Sequence, residues 1–131
     1  MNTLTRSDFN YSPVYRQAIE ILNISRLISN YLAQDLAVLK QNGKEDQDIY
    51  FSGDIIQQST SLVPHILRAE SEPFSEEKQK YAAAVTRLTN LLYKNCDRLE
   101  LSNSNGKEFL RILRIELKKF RKLQRIWKLT L

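Results

Sequence analysis

The sequence is short of the residues on which most active sites depend. Its 131 residues include one cysteine, Cys96, and one histidine, His65. A single cysteine excludes an internal disulfide framework and any CxxC metal or redox motif. A single histidine leaves no partner for a zinc cluster or for a Ser-His or Cys-His catalytic pair. We therefore expect a protein that is not an enzyme and that uses no metal and no cofactor.

Glycine and proline are also scarce, with three of each, which argues against a turn-rich β-sandwich and favours a mainly helical domain. No apolar run approaches the roughly 18 residues of a membrane-spanning helix. The first residues lack the apolar core of a signal peptide. We expect one soluble domain in the cytoplasm, because a chain of this length has room for hardly more than one.

Apolar residues recur at steps of three and four along four segments, which is the pattern of amphipathic helices. Ser12 followed by Pro13 predicts the start of the first helix, and Ser75 is the expected cap of the third. Polar breaks at 40–48, 70–77 and 101–107 separate the segments. Because such short connections join antiparallel neighbours, the sequence predicts an all-α, up-down-up-down four-helix bundle over 12–131, preceded by a tail at 1–11.

The spacing also predicts which residues face the core. In the first helix the expected stripe runs through Val14, Ala18, Ile21, Ser25, Ile28, Leu32, Leu36 and Leu39. In the second helix it runs through Ile49, Gly53, Ile56, Thr60, Val63 and Leu67, with Phe51, Ile55, Leu62 and Ile66 widening that face. Pro64 lies inside the second pattern, where we expect one kinked helix rather than two.

Positive charge is concentrated at the C-terminal end of the chain. Residues 107–131 contain nine lysines and arginines against two glutamates, a charge of +7, whereas the whole chain carries +5 and residues 1–106 therefore −2. Viewed down the axis of the last helix, eight of the nine cations fall within about 60° of one direction. This basic ridge comprises Lys107, Arg111, Arg114, Lys118, Arg121, Lys122, Arg125 and Lys128.

An apolar face is expected opposite the basic ridge, with Glu116 at its centre. That face comprises Phe109, Ile112, Leu113, Phe120, Leu123 and Trp127. A buried carboxylate needs a partner, and the candidates are Arg16, Arg26, Arg68 and Arg87. We interpret His65 as an ordinary bundle histidine and Cys96 as a small apolar filler.

The basic ridge contains no acidic residue, although solvated helix faces usually mix charges of both signs. We therefore expect it to bind anions, with plain solvation as the alternative. Against nucleic acid it would contact phosphates and read little sequence. The aromatic residues point elsewhere, so base stacking is not indicated. Membrane binding is less favoured because the apolar face is needed to complete the bundle.

Three segments resemble a bacterial family of short basic four-helix proteins. They are SLVPHILRAE at 61–70, AVTRLTNLLYKNCDRLELS at 84–102 and FLRILRIELKKFRKLQRIW at 109–127. The sequence resembles the accessory variability determinant of diversity-generating retroelements, and related small bundle proteins encoded in ribosomal RNA intervening sequences. This resemblance implies a non-enzymatic homo-oligomer, often a pentamer, that binds a reverse transcriptase and its template RNA through a basic outer surface.

The leading hypothesis is thus an oligomeric accessory protein whose basic ridge binds nucleic acid, either RNA, which is favoured over DNA, or an RNA/DNA hybrid, and assists a reverse transcriptase. The second is a protein-interaction subunit whose ridge contacts an acidic protein surface, as in a small helical subunit of a CRISPR effector complex or a toxin-antitoxin scaffold. An enzyme is a distant third, since no catalytic constellation occurs in the sequence.

Overall fold

The computed structural model describes residues 11–36, 48–101 and 108–131, and within these ranges it contains four helices and no strand. The helices are α1 (Pro13–Leu36), α2 (Asp48–Ser71), α3 (Ser75–Leu99) and α4 (Glu108–Thr130). The predicted all-α four-helix bundle is confirmed. Residues 1–10 of the tail expected at 1–11, the end of the first stripe at Leu39 and ridge residue Lys107 lie outside the described residues.

Side-chain contacts show that neighbouring helices run antiparallel. Between α3 and α4, Arg114 contacts Asp97 and Glu100, while Gln124 further along α4 contacts Thr86, earlier in α3. Two further pairs of helices follow the same rule. Between α1 and α4, Gln17 contacts Glu116, and Tyr31, later in α1, contacts Phe109, earlier in α4. Between α2 and α3, Gln58 contacts Asn95, and Ala69, later in α2, contacts Lys78, earlier in α3.

Each helix buries one narrow seam whose positions alternate by steps of three and four, the spacing of coiled-coil packing. In α1 the predicted stripe is confirmed as far as side chains are described, because Val14, Ala18, Ile21, Ser25 and Ile28 are all buried. The buried seam of α3 comprises Ala82, Val85, Thr89, Leu92, Cys96 and Leu99, and Ala84 and Asn95 are buried beside it. That of α4 comprises Leu110, Leu113, Leu117, Phe120, Gln124 and Trp127.

The predicted core face of α2 is wrong along its central stripe and confirmed for three of the residues expected to widen it, Ile55, Leu62 and Ile66. Among the side chains described in α2, the buried ones are Ile55, Ser59, Leu62, Ile66 and Ala69, whereas Gly53, Thr60 and Leu67 of the predicted stripe are exposed. The buried seam contains a serine and an alanine, which carry little apolar signal, and the exposed Leu67 misled the assignment. Ser59 is accommodated because its hydroxyl lies 2.7 Å from that of Ser25 in α1.

Helix ends are set by local hydrogen bonds. The Ser12 hydroxyl accepts from the backbone N–H of Tyr15 at 3.3 Å, so the predicted N-cap of α1 is confirmed. The cap position of α3 is Phe74 rather than Ser75, which is already helical. Lys78 donates to the carbonyls of Ala69 and Glu70 at the end of α2. The connection between α2 and α3 is therefore only residues 72–74, shorter than predicted.

Pro64 lies inside α2, which runs without interruption from Asp48 to Ser71, so the prediction of a single helix is confirmed. The hydroxyls of Thr60 and Ser61 donate to the carbonyls of Ile56 and Gln57, one turn before the proline. The His65 ring nitrogen Nδ1 lies 2.7 Å from the Ser61 carbonyl oxygen. The single histidine thus has a local backbone partner.

Candidate nucleic-acid interface

The basic ridge lies beside α3, not opposite the core as the sequence predicted. At 100° per residue the buried seam of α4 is centred about 110° from the ridge. The predicted apolar face had included Ile112 and Leu123, but Ile112 is 45% exposed, and Leu110, Leu117 and Gln124 occupy the core instead. This rotation turns the ridge toward α3, where side chains of that helix contact it.

The described ridge residues fall into two groups. Arg114, Arg121 and Lys128 are half-buried and contact α3, whereas Arg111, Lys118, Lys122 and Arg125 are exposed. The first group lies at the boundary between α3 and α4, whereas the side chains of the second group extend into solvent. The seven described ridge residues therefore do not form one uniform solvated surface.

Arg114 is neutralised by two carboxylates of α3. Its guanidinium contacts Asp97 and, at 2.5 Å, Glu100, and the side chain is 29% exposed. The hydrogen bonds with Glu100 and Asp97 raise the pKa of Arg114 above its usual range. An arginine paired in this way has little net charge to offer an anionic ligand.

Arg121, two turns further along the same face, has neutral partners instead. Its guanidinium donates to the side-chain oxygen of Asn90 at 2.8 Å and lies 4.2 Å from the centre of the Tyr93 ring. Within the described residues, no carboxylate forms an ion pair with it. Arg121 is therefore oriented while its charge stays uncompensated.

Lys128 and Gln124 extend the polar boundary toward the end of α4. The Thr86 hydroxyl accepts from Gln124 at 2.6 Å and from Lys128 at 3.3 Å. Gln124 is buried, so this contact satisfies a polar group inside the α4 seam. The boundary between α3 and α4 is thus polar along the C-terminal half of α4.

Three adjoining depressions of about 300, 340 and 410 Å³ follow this boundary, and Arg121 lines all of them. Two exposed cations of α3 contribute to the lining, Arg87 and Lys94. We call this feature the cationic groove and define it by seven residues: Arg87, Lys94, Lys118, Arg121, Lys122, Arg125 and Lys128.

The cationic groove contains no carboxylate among the described residues that line it. The other end of the ridge differs, because Arg111 shares a depression of about 610 Å³ with Glu100 and Glu108. The part of the interface that follows Arg114 is therefore the part where cations line the depressions without a carboxylate. The contribution of Arg87 and Lys94 was missed from the sequence, although their spacing of seven residues places both on one helix face.

Glu116 does not pair with any of the four arginines proposed for it. Its carboxylate accepts from the Gln17 side chain of α1 at 2.5 Å and from Lys119 at 3.1 Å. The hydrogen bond from Gln17 holds its pKa below the usual value, against the opposing effect of burial. Glu116 is thus a contact between α1 and α4 at the edge of the core.

Cys96, interpreted from the sequence as an apolar filler, has apolar surroundings. Cys96 is fully buried in the α3 seam, and burial raises the pKa of its thiol to about 12. Across the described ranges, no group of three or more His, Cys, Asp or Glu side chains could hold a metal ion. None of the described helices combines the length and apolar character needed to span a membrane.

Comparison with protein families, with curated proteins and with solved structures finds no match to this chain.

Proposed function

We propose that this protein is a non-enzymatic accessory protein that binds nucleic acid through the cationic groove. The observation that carries the proposal is the uncompensated charge of the groove: seven lysines and arginines from two helices line it, and no described lining residue is acidic. Charged residues on a solvated helix face normally pair with residues of opposite charge. Arg114, one helical turn before Lys118 of the groove, is paired in this way with Asp97 and Glu100.

Phosphate oxygens are the ligand chemistry that suits this arrangement. Lysine and arginine bind phosphates by charge and, for arginine, through paired hydrogen bonds. The Tyr93 ring already has Arg121 over it, so its exposed surface offers little for base stacking. Binding is expected to depend steeply on salt and weakly on sequence, with RNA as the favoured nucleic acid.

The resemblance to the accessory variability determinant extends this proposal to a partner and a setting. It implies that the protein assists a reverse transcriptase of a diversity-generating retroelement and acts as a homo-oligomer. The exposed residues Ile112, Ile115 and Ile126 of α4 support a further protein contact, being 45%, 50% and 64% exposed. Apolar residues grouped on one face commonly mark protein interfaces.

Charge reversal within the cationic groove tests the proposed function. The variant Lys118→Glu/Arg125→Glu is compared with Arg16→Glu/Arg26→Glu, which changes net charge equally on the exposed surface of α1. Binding of labelled RNA and duplex DNA is titrated at about 50 and about 200 mM salt. We expect the groove variant to lose binding at both salt concentrations and the α1 variant to keep most of it.

Circular dichroism and solution mass accompany both variants, because the comparison requires that helicity and oligomeric state stay unchanged. Equal losses for the two variants would mean that only net charge matters and would refute the groove as the binding site. Absence of RNA binding by the parent protein at low salt would refute the proposed function and favour an acidic protein surface, as in a CRISPR effector subunit, as the partner.

A further inference from the structure

Arg121 occupies the centre of the cationic groove. The three depressions of the groove are distinct in their linings, yet each includes this side chain. Arg87 and Lys94 approach it from α3, while Lys118, Lys122 and Arg125 surround it on α4. An anion that enters any part of the groove therefore meets Arg121.

The surroundings of Arg121 fix its orientation without cancelling its charge. Asn90 accepts one hydrogen bond from the terminal nitrogen Nη2 at 2.8 Å, and the Tyr93 ring supports the guanidinium plane at 4.2 Å. Tyr93 itself packs against the buried core, so the support is anchored. A guanidinium has five N–H donors, and Asn90 engages one of them.

Arg114 provides an internal comparison, because it lies seven residues earlier on the same face of α4. Two carboxylates of α3 bind its guanidinium, whereas Arg121 meets an amide oxygen and an aromatic ring at the equivalent place. A carboxylate orients and neutralises an arginine, but an amide oxygen only orients it. Preorganisation with retained charge is what an anion-binding arginine requires.

We infer that Arg121 is the principal phosphate-binding residue of the cationic groove, and that Asn90 and Tyr93 are its positioning residues. This inference rests on the proposed function. The ligand is a phosphodiester of a nucleic-acid strand, whose two non-bridging oxygens accept paired hydrogen bonds from the donors that Asn90 leaves available. The other cations of the groove act as point charges on the flanking phosphates.

Replacing arginine by lysine separates geometry from charge, because net charge is unchanged. We compare Arg121→Lys with Arg125→Lys, one turn away on the same helix, using a fluorescein-labelled single-stranded oligouridylate at about 50 and about 200 mM salt. Arg121→Lys should weaken binding about tenfold, and Arg125→Lys less than about threefold. Both variants should keep the salt dependence of the parent protein.

The role of Asn90 is tested through its dependence on Arg121. Asn90 is exposed, so its replacement leaves the core intact, as a thermal melt will check. Asn90→Ala should weaken binding about threefold in the parent protein and not at all when Arg121 is already lysine. Asn90→Asp should weaken binding more than Asn90→Ala, because the new carboxylate pairs with Arg121 as Asp97 and Glu100 pair with Arg114.

The outcomes distinguish failure of this inference alone from failure of the proposed function. If Arg121→Lys and Arg125→Lys bind alike while the parent protein binds tightly, Arg121 has no special role and the groove is a set of equivalent charges. If Asn90→Ala weakens binding equally in both backgrounds, Asn90 does not act through Arg121. If the parent protein does not bind the oligouridylate at all, both proposals fail together.

Discussion

At the scale of single residues, the contacts of an arginine decide whether it serves stability or binding. Arg114→Ala should lower the free energy of unfolding by about 1 kcal/mol, because Asp97 and Glu100 lose their shared cation. The same change should alter RNA affinity less than about threefold, since that charge is already compensated. Urea unfolding followed by the fluorescence of Trp127, the one tryptophan, measures the first effect.

Arg125→Ala is the matched control, being the same truncation on an exposed residue of the same helix. It should show the reverse pattern, with stability nearly unchanged and RNA affinity reduced. A large loss of RNA affinity in Arg114→Ala, without loss of helicity, would show that Arg114 binds RNA despite its two carboxylate partners.

At the scale of helices, a buried hydroxyl pair fixes how α1 and α2 meet. Ser25 donates to its own helix at the Ile21 carbonyl, 2.7 Å away, so the hydrogen bond between the two serines requires Ser59 as the donor. Ser25→Ala therefore removes the acceptor of Ser59 and should cost about 1–2 kcal/mol. Ser59→Ala should cost less, because Ser25 keeps its bond to Ile21.

A double-mutant cycle in urea tests this asymmetry. The double variant should be less destabilised than the sum of the two single variants, because no unsatisfied hydroxyl remains. Strict additivity would show that the two serines do not interact across the helix boundary.

The helices themselves were predictable from the sequence, because apolar spacing and polar breaks are local features. Which side of each helix is buried in the core was predictable only in part. Ile112 and Leu117 are equally apolar, and their neighbours in space decide that Leu117 is buried and Ile112 exposed. Likewise, the basic ridge was predictable from the sequence of α4 alone. The acids beside Arg114 and the cations Arg87 and Lys94 belong to α3, and their position next to the ridge is set by how α3 and α4 align.

At the scale of the whole molecule, α4 carries a second three-and-four seam that faces away from the core. It comprises Ile112, Ile115, Lys119, Lys122, Ile126 and Leu129, and each of these side chains is exposed. This outer seam is centred about 90° from the basic ridge. A second copy bound along the outer seam would therefore cover Lys122 but leave the other six residues of the cationic groove open, which makes oligomerisation and nucleic-acid binding compatible.

Charged substitutions in the outer seam should dissociate the proposed homo-oligomer. We expect Ile112→Glu/Ile126→Glu to give a solution mass near the 15.4 kDa of one chain, because buried unpaired carboxylates are strongly unfavourable. Leu67→Glu/Leu91→Glu is the control, since these leucines of α2 and α3 are exposed to 38% and 43%. Light scattering after gel filtration measures both masses; a monomeric parent protein, or dissociation of the control, would contradict the outer seam as the interface.

The monomeric variant also separates the contribution of one cationic groove from that of several. A short oligouridylate occupies one groove, so its affinity should be the same for the Ile112→Glu/Ile126→Glu variant and the parent protein. A long RNA can reach several grooves of an oligomer, and the linked contacts should strengthen its binding by about a hundredfold or more. Loss of that advantage in the monomer, with short-probe binding retained, is the expected result. A parallel loss for both probes would instead place the isoleucines in the binding site itself.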